Sequence, residues 1–371
     1  MNYLINCSNL KIGGGIQVAD SFCSQLNRFP QHHFVVVLSS SLSSTKEKLA
    51  EFQHVEVFSY NMPNNLMTII TGRDRFMDNL VSGHCVDAVL TIFGPSRWCP
   101  KVPHLSGFAM AQLVILESPF YTRMTKMERI KWFWWRKIRQ YSFKQSADFF
   151  WTENPFISKR LENLFGNREV FTITNYYNQV FDTPDAWQKS IILSEFTGTT
   201  CLSVSNFYPH KNFEILIGVV RCLKTNHPDF LVRFVLTFDQ QEMPVPDDIR
   251  EAFVFIGKVD FRECPSLYTQ CDIMFMPTLI ECFTATYPEA MRMKKPIVTT
   301  DLQFARGLCG EAACYYNAVD CQSAADAIYR VATDQAYARQ LVANGTVQLK
   351  HFDNYEQRAD KLVKILERIS K

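Results

Sequence analysis

The residues best suited to chemistry in this sequence are one lysine and two glutamates, each in a polar segment that follows an apolar run. Lys211 lies in the segment 204–212, and Glu281 and Glu289 lie in the segment 277–290. A lysine ammonium can neutralise a diphosphate as a point charge, and a carboxylate can accept hydrogen bonds from sugar hydroxyls. Taken singly, each has a simpler interpretation, because most lysines are solvated and a glutamate early in a helix complements the helix dipole.

Small residues between the two glutamates favour an anion site at the start of a helix. Residues 284–286 come directly before a helix that we expect at about residues 287–294, where Pro288 suits the first turn. The free backbone N–H groups and the positive dipole end of such a helix attract an anion.

A run of three glycines, residues 13–15, follows the first apolar segment and can also approach a phosphate closely, because it has no Cβ atoms. The run lacks the Gly-x-Gly-x-x-Gly spacing of dinucleotide-binding oxidoreductases, which disfavours that class. A plain tight turn explains the glycines equally well.

Apolar runs of strand length precede these segments, and helical patterns separate the runs. Strands are expected at residues 1–7, 34–38, 88–93, 149–152, 171–173, 201–204, 232–237, 253–256, 273–276 and 296–299. Alternating strands and helices are typical of parallel α/β sheets, in which ligands bind beyond the carboxyl ends of the strands.

The alternation stops in a polar stretch at residues 178–185 and then starts again. We therefore expect two doubly wound domains with a cleft between them, at residues 1–178 and 185–354. The last segment, 355–371, has the pattern of an amphipathic helix and is expected to pack back on the first domain.

Composition places the chain among soluble globular proteins. It has 371 residues, of which 47% are hydrophobic and 20% charged, which excludes disordered and coiled-coil classes. No apolar run reaches the ~18 residues that span a bilayer, and the first residues contain no export signal. The twelve cysteines form no Cys-x-x-Cys pair, so we expect reduced, mostly buried thiols in a cytosol and no zinc or disulfide scaffold.

Positive charge is concentrated in one segment of the first half. Residues 1–180 contain 19 Lys and Arg against 13 Asp and Glu, whereas the remainder contains 20 against 24. The segment 123–144 alone carries eight basic residues against Glu128. An asymmetry of this kind indicates an anionic partner for the first half.

On a helical wheel this segment also has an apolar stripe, formed by Met127, Ile130, Trp134, Ile138 and Tyr141. A basic amphipathic helix with tryptophans at its flanks favours binding to an anionic membrane face. The residues expected to face the membrane are Arg129, Lys131, Trp132, Trp135, Arg136, Lys137 and Arg139. The alternative is a helix whose stripe packs on the sheet while its charges are solvated.

Together these segments resemble the retaining glycosyltransferases of family 4 over almost the whole chain. The strongest likeness is the Glu281-x7-Glu289 block, which has the order and spacing of the family's signature. Lys211 matches the lysine of the family's phosphate loop, and Asn175 the asparagine before the linker. Residues 255–259 resemble the segment that cups the nucleotide base.

The resemblance implies the GT-B architecture, two Rossmann-like domains facing across a cleft. It makes Lys211, Glu281 and His104 the candidate catalytic residues, with Glu281 holding the transferred sugar and Glu289 the ribose. The implied donor-binding residues are Gly14, Gly15, Asn206, Lys211, Gly257, Lys258, Glu281, Phe283, Thr284, Ala285, Thr286 and Glu289.

The sequence departs from the family's pattern in three places. Asn206 stands where the phosphate loop usually has arginine, so one positive charge is missing, and Arg292 and Arg306 are the candidate substitutes. Thr284 replaces a glycine. Phe108 stands where many members have a histidine, so either His104, the nearest histidine, reaches the site from an adjacent turn or no histidine is used.

The function implied is transfer of a sugar, with retention, from a nucleotide diphosphate sugar to a hydroxyl of a lipid-linked glycan in polysaccharide or lipopolysaccharide synthesis. We expect no metal, because the sequence lacks an Asp-x-Asp pair, and no nucleic-acid partner. The expected location is the inner face of the cytoplasmic membrane. Two alternatives remain: a sugar-nucleotide enzyme that is not a transferase, such as an epimerase, and a non-catalytic nucleotide-sugar-binding module.

Overall fold

The computed structural model describes residues 1–11, 13–63 and 66–371 and divides the chain into two compact units. The first unit comprises residues 1–116, 125–175 and 353–371, and the second comprises residues 117–124 and 176–352. The segment 117–124 therefore departs from the expected boundaries, because it lies within the first half of the sequence but packs with the second unit.

The described part of the first unit is built on a seven-stranded parallel sheet. Its strands are β1 (Asn2–Cys7), β2 (His33–Leu38), β3 (Val55–Ser59), β4 (Ala88–Thr91), β5 (His104–Gly107), β6 (Phe149–Thr152) and β7 (Val170–Thr172), in the order β3-β2-β1-β4-β5-β6-β7. Its helices are α1 (Gly14–Cys23), α2 (Ser43–Leu49), α3 (Leu66–Thr71), α4 (Arg75–Gly83), α5 (Lys126–Ser146) and α6 (Pro155–Phe165). Strands such as Phe34–Leu38 are apolar throughout because helices cover both faces of a parallel sheet.

The second unit repeats this architecture, with six parallel strands among its described residues. The strands are β8 (Thr199–Ser203), β9 (Val232–Leu236), β10 (Phe253–Phe255), β11 (Ile273–Met276), β12 (Ile297–Thr300) and β13 (Ala313–Tyr316), in the order β10-β9-β8-β11-β12-β13. The helices are α7 (Ile215–Asn226), α8 (Cys264–Thr269), α9 (Thr286–Arg292), α10 (Gln303–Cys309), α11 (Cys321–Thr333) and α12 (Gln335–Gln348). Both sheets thus have the strand order of Rossmann-like folds.

The last helix, α13 (Tyr355–Ile369), belongs to the first unit, where Leu362 and Leu366 are buried in the same apolar cluster as Phe22. Its buried Arg358 donates a hydrogen bond to Ser21 Oγ (2.9 Å) and another to Asn175 Oδ1. Asn175, selected in the sequence for its likeness to a linker residue, is thus held by the C-terminal helix.

The basic segment forms α5, which begins at a capping box of Thr125 and Glu128. Its apolar stripe does not pack on the sheet: Met127, Ile130 and Trp134 are 62%, 55% and 61% exposed. Ile138 and Tyr141 are also exposed. The alternative interpretation, in which the sheet covers the stripe, is therefore not what the structure shows.

Some of the residues of α5 that were expected to face the membrane are only partly exposed. Trp132 and Trp135 are only partly exposed, and their ring centroids lie 4.9 Å apart in an edge-to-face arrangement. Arg136 and Arg139 are partly exposed as well, whereas Arg129, Lys131 and Lys137 are exposed. The exposed indole of this helix is that of Trp134 rather than that of Trp132 or Trp135.

Candidate functional site

The candidate residues of the second unit gather where the strand order reverses. The chain enters this sheet at β8, builds to one side through β9 and β10, and then returns to pair β11 with β8. Loops that leave the carboxyl ends of two such strands diverge and leave a crevice in which ligands bind. The loop after β8 carries Lys211 and the loop after β11 carries Glu281, so the topology places both at this point.

Lys211 and Glu281 form an ion pair between Nζ and Oε1, with both side chains almost buried. Thr278, at the end of β11, donates a hydrogen bond to the same carboxylate oxygen at 3.2 Å. The two loops are also joined through the backbone, where Leu279 N–H donates to His210 O at 2.8 Å. Removal from water strengthens each of these interactions and holds the ammonium and the carboxylate in place.

Asn212, the residue directly after Lys211, explains how the chain positions the Lys211 side chain. Asn212 is buried and adopts the left-handed conformation (φ 58°), which asparagine tolerates better than most residues. Its side-chain amide donates to Ala318 O at 3.2 Å. The chain therefore turns sharply after Lys211, and the side chain of Asn212 stabilises that turn.

His210 is a site residue that the sequence analysis did not select. Its Nε2 lies 3.9 Å from Glu281 Oε1, and its ring stacks on Tyr208 with centroids 5.6 Å apart. Burial lowers the pKa of His210, and the nearby Lys211 ammonium acts in the same direction, against the effect of Glu281. Its position directly before Lys211 in a loop after a strand was the signal that could have identified it.

Glu289 lies on α9, where its carboxylate has a different hydrogen-bond donor from that of Glu281. The Tyr268 hydroxyl donates to its Oε2 at 3.2 Å. Burial raises the pKa of the Glu289 carboxyl to about 7, although the hydrogen bond from Tyr268 opposes the shift. A carboxyl with this pKa changes its charge near neutral pH.

The start of α9 is close to the predicted position, and Ala285 caps it without a side-chain hydrogen bond. The Thr284 and Thr286 hydroxyls bond to each other rather than to the backbone N–H groups of the first turn. Phe283 packs edge-on against Phe352 at 6.1 Å. The first-turn N–H groups are therefore not taken up by a capping side chain.

The remaining donor candidates of the second unit lie on neighbouring loops. Gly257 follows β10 with φ 70°, which only glycine adopts readily, and a Cβ there would lie 3.2 Å from Asp239 Oδ1. Lys258 and Asn206 are exposed.

Neither arginine suggested as a replacement for the missing phosphate-loop arginine is free. Arg292 pairs with Asp182 at 2.6 Å, and Arg306 pairs with Asp301 and lies over the Tyr315 ring at 4.3 Å. His210 lies beside Lys211, but its lowered pKa favours the neutral imidazole, so it does not replace the missing positive charge.

His104 does not fit a catalytic role, and that prediction is corrected. It lies in β5 with no exposed surface, and its Nε2 bonds to Thr91 Oγ1 at 2.8 Å while Nδ1 bonds to Ser146 O. Burial lowers its pKa to about 4. A histidine with both ring nitrogens occupied inside the sheet has a structural role.

Gly14 and Gly15 open α1 in the first unit, directly after Gly13, whose φ of 80° requires glycine. A Cβ on Gly14 would meet no atom within 4 Å, so its backbone is open to approach.

The described residues lack two features, a metal-ion cluster and a membrane-spanning helix. They contain no group of three or more His, Cys, Asp and Glu residues placed to hold a metal ion. Nor does any helix in the described ranges have the length and apolarity needed to cross a membrane.

Comparison with solved structures identifies the fold as that of GT-B glycosyltransferases, with two Rossmann-like units. A glycosyltransferase from Rickettsia africae superposes with a TM-score of 0.71 at 13% identity, covering 100% of this chain and 98% of that one. Anabaena HepE, solved in complex with UDP and glucose, gives a TM-score of 0.65 at 14% identity and covers 99% of both chains. Identities this low show the fold alone.

Sequence comparison supports a glycosyltransferase more directly. Residues 198–334 match the family model described as glycosyl transferases group 1. The matched range covers most of the second unit and includes both the loop that carries Lys211 and the loop that carries Glu281. The O-antigen chain mannosyltransferase RfbU of Salmonella typhimurium is 26% identical over 159 residues, 42% of this chain. The match spans 44% of that relative's length, less than half of it.

Proposed function

We propose that this chain is a retaining glycosyltransferase that moves a sugar from a nucleotide diphosphate sugar to a hydroxyl of a glycan, without a metal ion. The observation that carries the proposal is the almost buried pair of Lys211 and Glu281 at the point where the strand order reverses. The family match at residues 198–334 and the O-antigen relative support this activity in cell-surface polysaccharide synthesis.

In the proposed reaction, the bond between the sugar's anomeric carbon and the diphosphate oxygen breaks, and the acceptor oxygen bonds to that carbon on the same face. Positive charge develops on the sugar ring as the bond breaks, while negative charge develops on the leaving diphosphate. Lys211 and the first-turn N–H groups of α9 are preorganised for that negative charge. The leaving phosphate oxygen takes the acceptor's proton, and Glu281 holds hydroxyls of the transferred sugar.

We further propose that α5 holds the enzyme on the inner, anionic face of the cytoplasmic membrane, where it meets a lipid-linked acceptor. The exposed stripe of Met127, Ile130 and Trp134 is flanked by basic residues and by one acidic residue, Glu128. An apolar face that enters the interface, beside cations that meet anionic headgroups, is the arrangement of peripheral membrane helices.

Donor hydrolysis tests the transferase proposal against its alternatives. With UDP-, GDP- and TDP-sugars, we expect one donor to raise the melting temperature, since a ligand stabilises the fold by mass action. The same donor should slowly release its nucleoside diphosphate without acceptor and in excess EDTA. Binding without hydrolysis or transfer would identify a binding module, and loss of activity in EDTA with rescue by magnesium or manganese would overturn the metal-free mechanism.

The pH dependence of donor affinity should report the ionisation of Glu289. Because an ionised carboxylate accepts hydrogen bonds from two ribose hydroxyls better than a protonated one, the affinity should rise with pH through the free-protein pKa of about 7. Calorimetry in buffers of different ionisation enthalpy should detect proton release on binding. The isosteric variant Glu289→Gln should bind more weakly and lose this pH dependence; an unchanged pH profile in that variant would contradict the assignment.

A further inference from the structure

The first sheet has its own point of strand-order reversal, and an arginine lies there. The chain enters this sheet at β1 and later returns to pair β4 with β1. Arg97 lies in the loop after β4, where it adopts φ 59°. Asn9, in the loop after β1, donates to Phe93 O at 2.7 Å. The two loops at this reversal point are thus joined, and Arg97 belongs to the crevice position of the first unit.

A second arginine, Arg139, is brought to the same loop by α5. Gly94, three residues before Arg97, packs so closely on α5 that a Cβ there would lie 2.7 Å from Phe143 Cε1. Arg139 and Phe143 are four residues apart and share one face of the helix. Arg139 also lies over the Trp135 ring at 5.7 Å, which orients the guanidinium beside this flank.

The two guanidinium groups are close enough to repel each other and have no acidic partner. Burial lowers the pKa of Arg97 and the neighbouring charge of Arg139 lowers it further, while burial lowers the pKa of Arg139. Within the described residues, neither side chain forms an ion pair or a hydrogen bond to the protein, and Arg97 Nε is buried without a partner. Two partly buried cations without an acidic partner favour the binding of an anion from outside the chain.

We propose that Arg97 and Arg139 together bind a phosphate group of the acceptor, so that the acceptor is a phosphate- or diphosphate-linked molecule. This inference rests on the proposed transferase function. Guanidinium groups match phosphate oxygens with paired, charge-assisted hydrogen bonds. The pair lies on the flank of α5 next to its exposed apolar stripe, so an acceptor with a lipid tail in the interface would present its phosphate beside these arginines.

The test is calorimetric titration of the wild-type chain with farnesyl diphosphate, a short lipid diphosphate, and with inorganic pyrophosphate. Arg97→Gln and Arg139→Gln should each weaken binding of farnesyl diphosphate by roughly tenfold, the cost of losing one charge-assisted interaction. Pyrophosphate should lose affinity in the same variants. The matched control Lys159→Gln removes the same charge from an exposed position of α6 in the same unit and should bind like the wild type. Unchanged melting temperatures show that the variants are folded.

Three outcomes would overturn the site. The first is equal affinity of the wild type and the variant that carries both Arg97→Gln and Arg139→Gln, and the second is an equal loss in Lys159→Gln. The third is a loss in Arg97→Gln of binding to phosphatidylglycerol vesicles that matches the loss for farnesyl diphosphate. The last would identify a bilayer headgroup as the ligand. Donor hydrolysis in the same variants separates this inference from the proposed function. If hydrolysis persists without diphosphate binding, only the arginine site fails; if the wild type neither binds nor hydrolyses a donor, the transferase proposal fails.

Discussion

Replacing Lys211 by alanine should lower kcat/KM for the donor by on the order of a hundredfold to a thousandfold, the cost of removing one preorganised group that stabilises developing negative charge. The effect is expected at the upper end because Asn206 supplies no charge in the same loop and both Arg292 and Arg306 are paired with aspartates. Alanine also leaves Glu281 almost buried without its ammonium partner, which opposes the approach of a diphosphate. Steady-state kinetics over a range of donor concentrations measures the effect.

Two further variants separate the role of charge from damage to the fold. Lys224→Ala breaks an exposed ion pair with Glu251 in the same unit and should leave kinetics unchanged. Glu281→Gln keeps the shape of the side chain but frees Lys211, so it should reduce turnover while nucleoside diphosphate binds at least as tightly as in the wild type. If Lys211→Ala retains wild-type turnover and donor affinity, the phosphate assignment is wrong.

The sequence predicted much of the second unit because its strands are short apolar runs bounded by polar loops. The expected strands at 201–204, 232–237 and 273–276 are all present within one or two residues at either end. The helix expected at 287–294 is observed at Thr286–Arg292. Since the carboxyl ends of parallel strands meet at one edge, locating these runs was sufficient to place Lys211 and Glu281 on the same side of the sheet.

The rest of the site depends on contacts between residues far apart in sequence, which local patterns do not encode. The edge strand β3 was missed because its five residues, Val55–Ser59, are only half buried and interrupted by a glutamate. The packing of residues 117–124 with the second unit depends on contacts such as Ser118 Oγ to Leu279 O at 2.8 Å. His104 was misjudged for the same reason, because its partners Thr91 and Ser146 become neighbours only when the sheet and α5 assemble.

The second large effect is expected on membrane binding, when apolar residues of the α5 stripe are replaced. Trp134→Asp combined with Ile138→Asp should abolish co-sedimentation with phosphatidylglycerol vesicles, because both side chains are exposed on the stripe and each loses about 1.5–3 kcal/mol of apolar transfer free energy. Changing Lys131 and Lys137 to glutamate should weaken binding at low salt, since each basic residue near an anionic surface contributes about 1 kcal/mol. High salt should reduce the difference between this charge variant and the wild type.

The control for the apolar change is Val347→Asp, which alters a residue 58% exposed on α12 of the second unit. It introduces one exposed aspartate, against two in the stripe variant, on a helix of the other unit and should leave sedimentation unchanged. Donor hydrolysis in the stripe variant should also be unchanged, because Lys211 and Glu281 belong to the other unit, whereas transfer to a lipid-linked acceptor in vesicles should fall with binding. If the wild type does not bind vesicles of any composition at either salt concentration, a protein partner packs on the stripe instead. The acceptor then reaches the enzyme from solution.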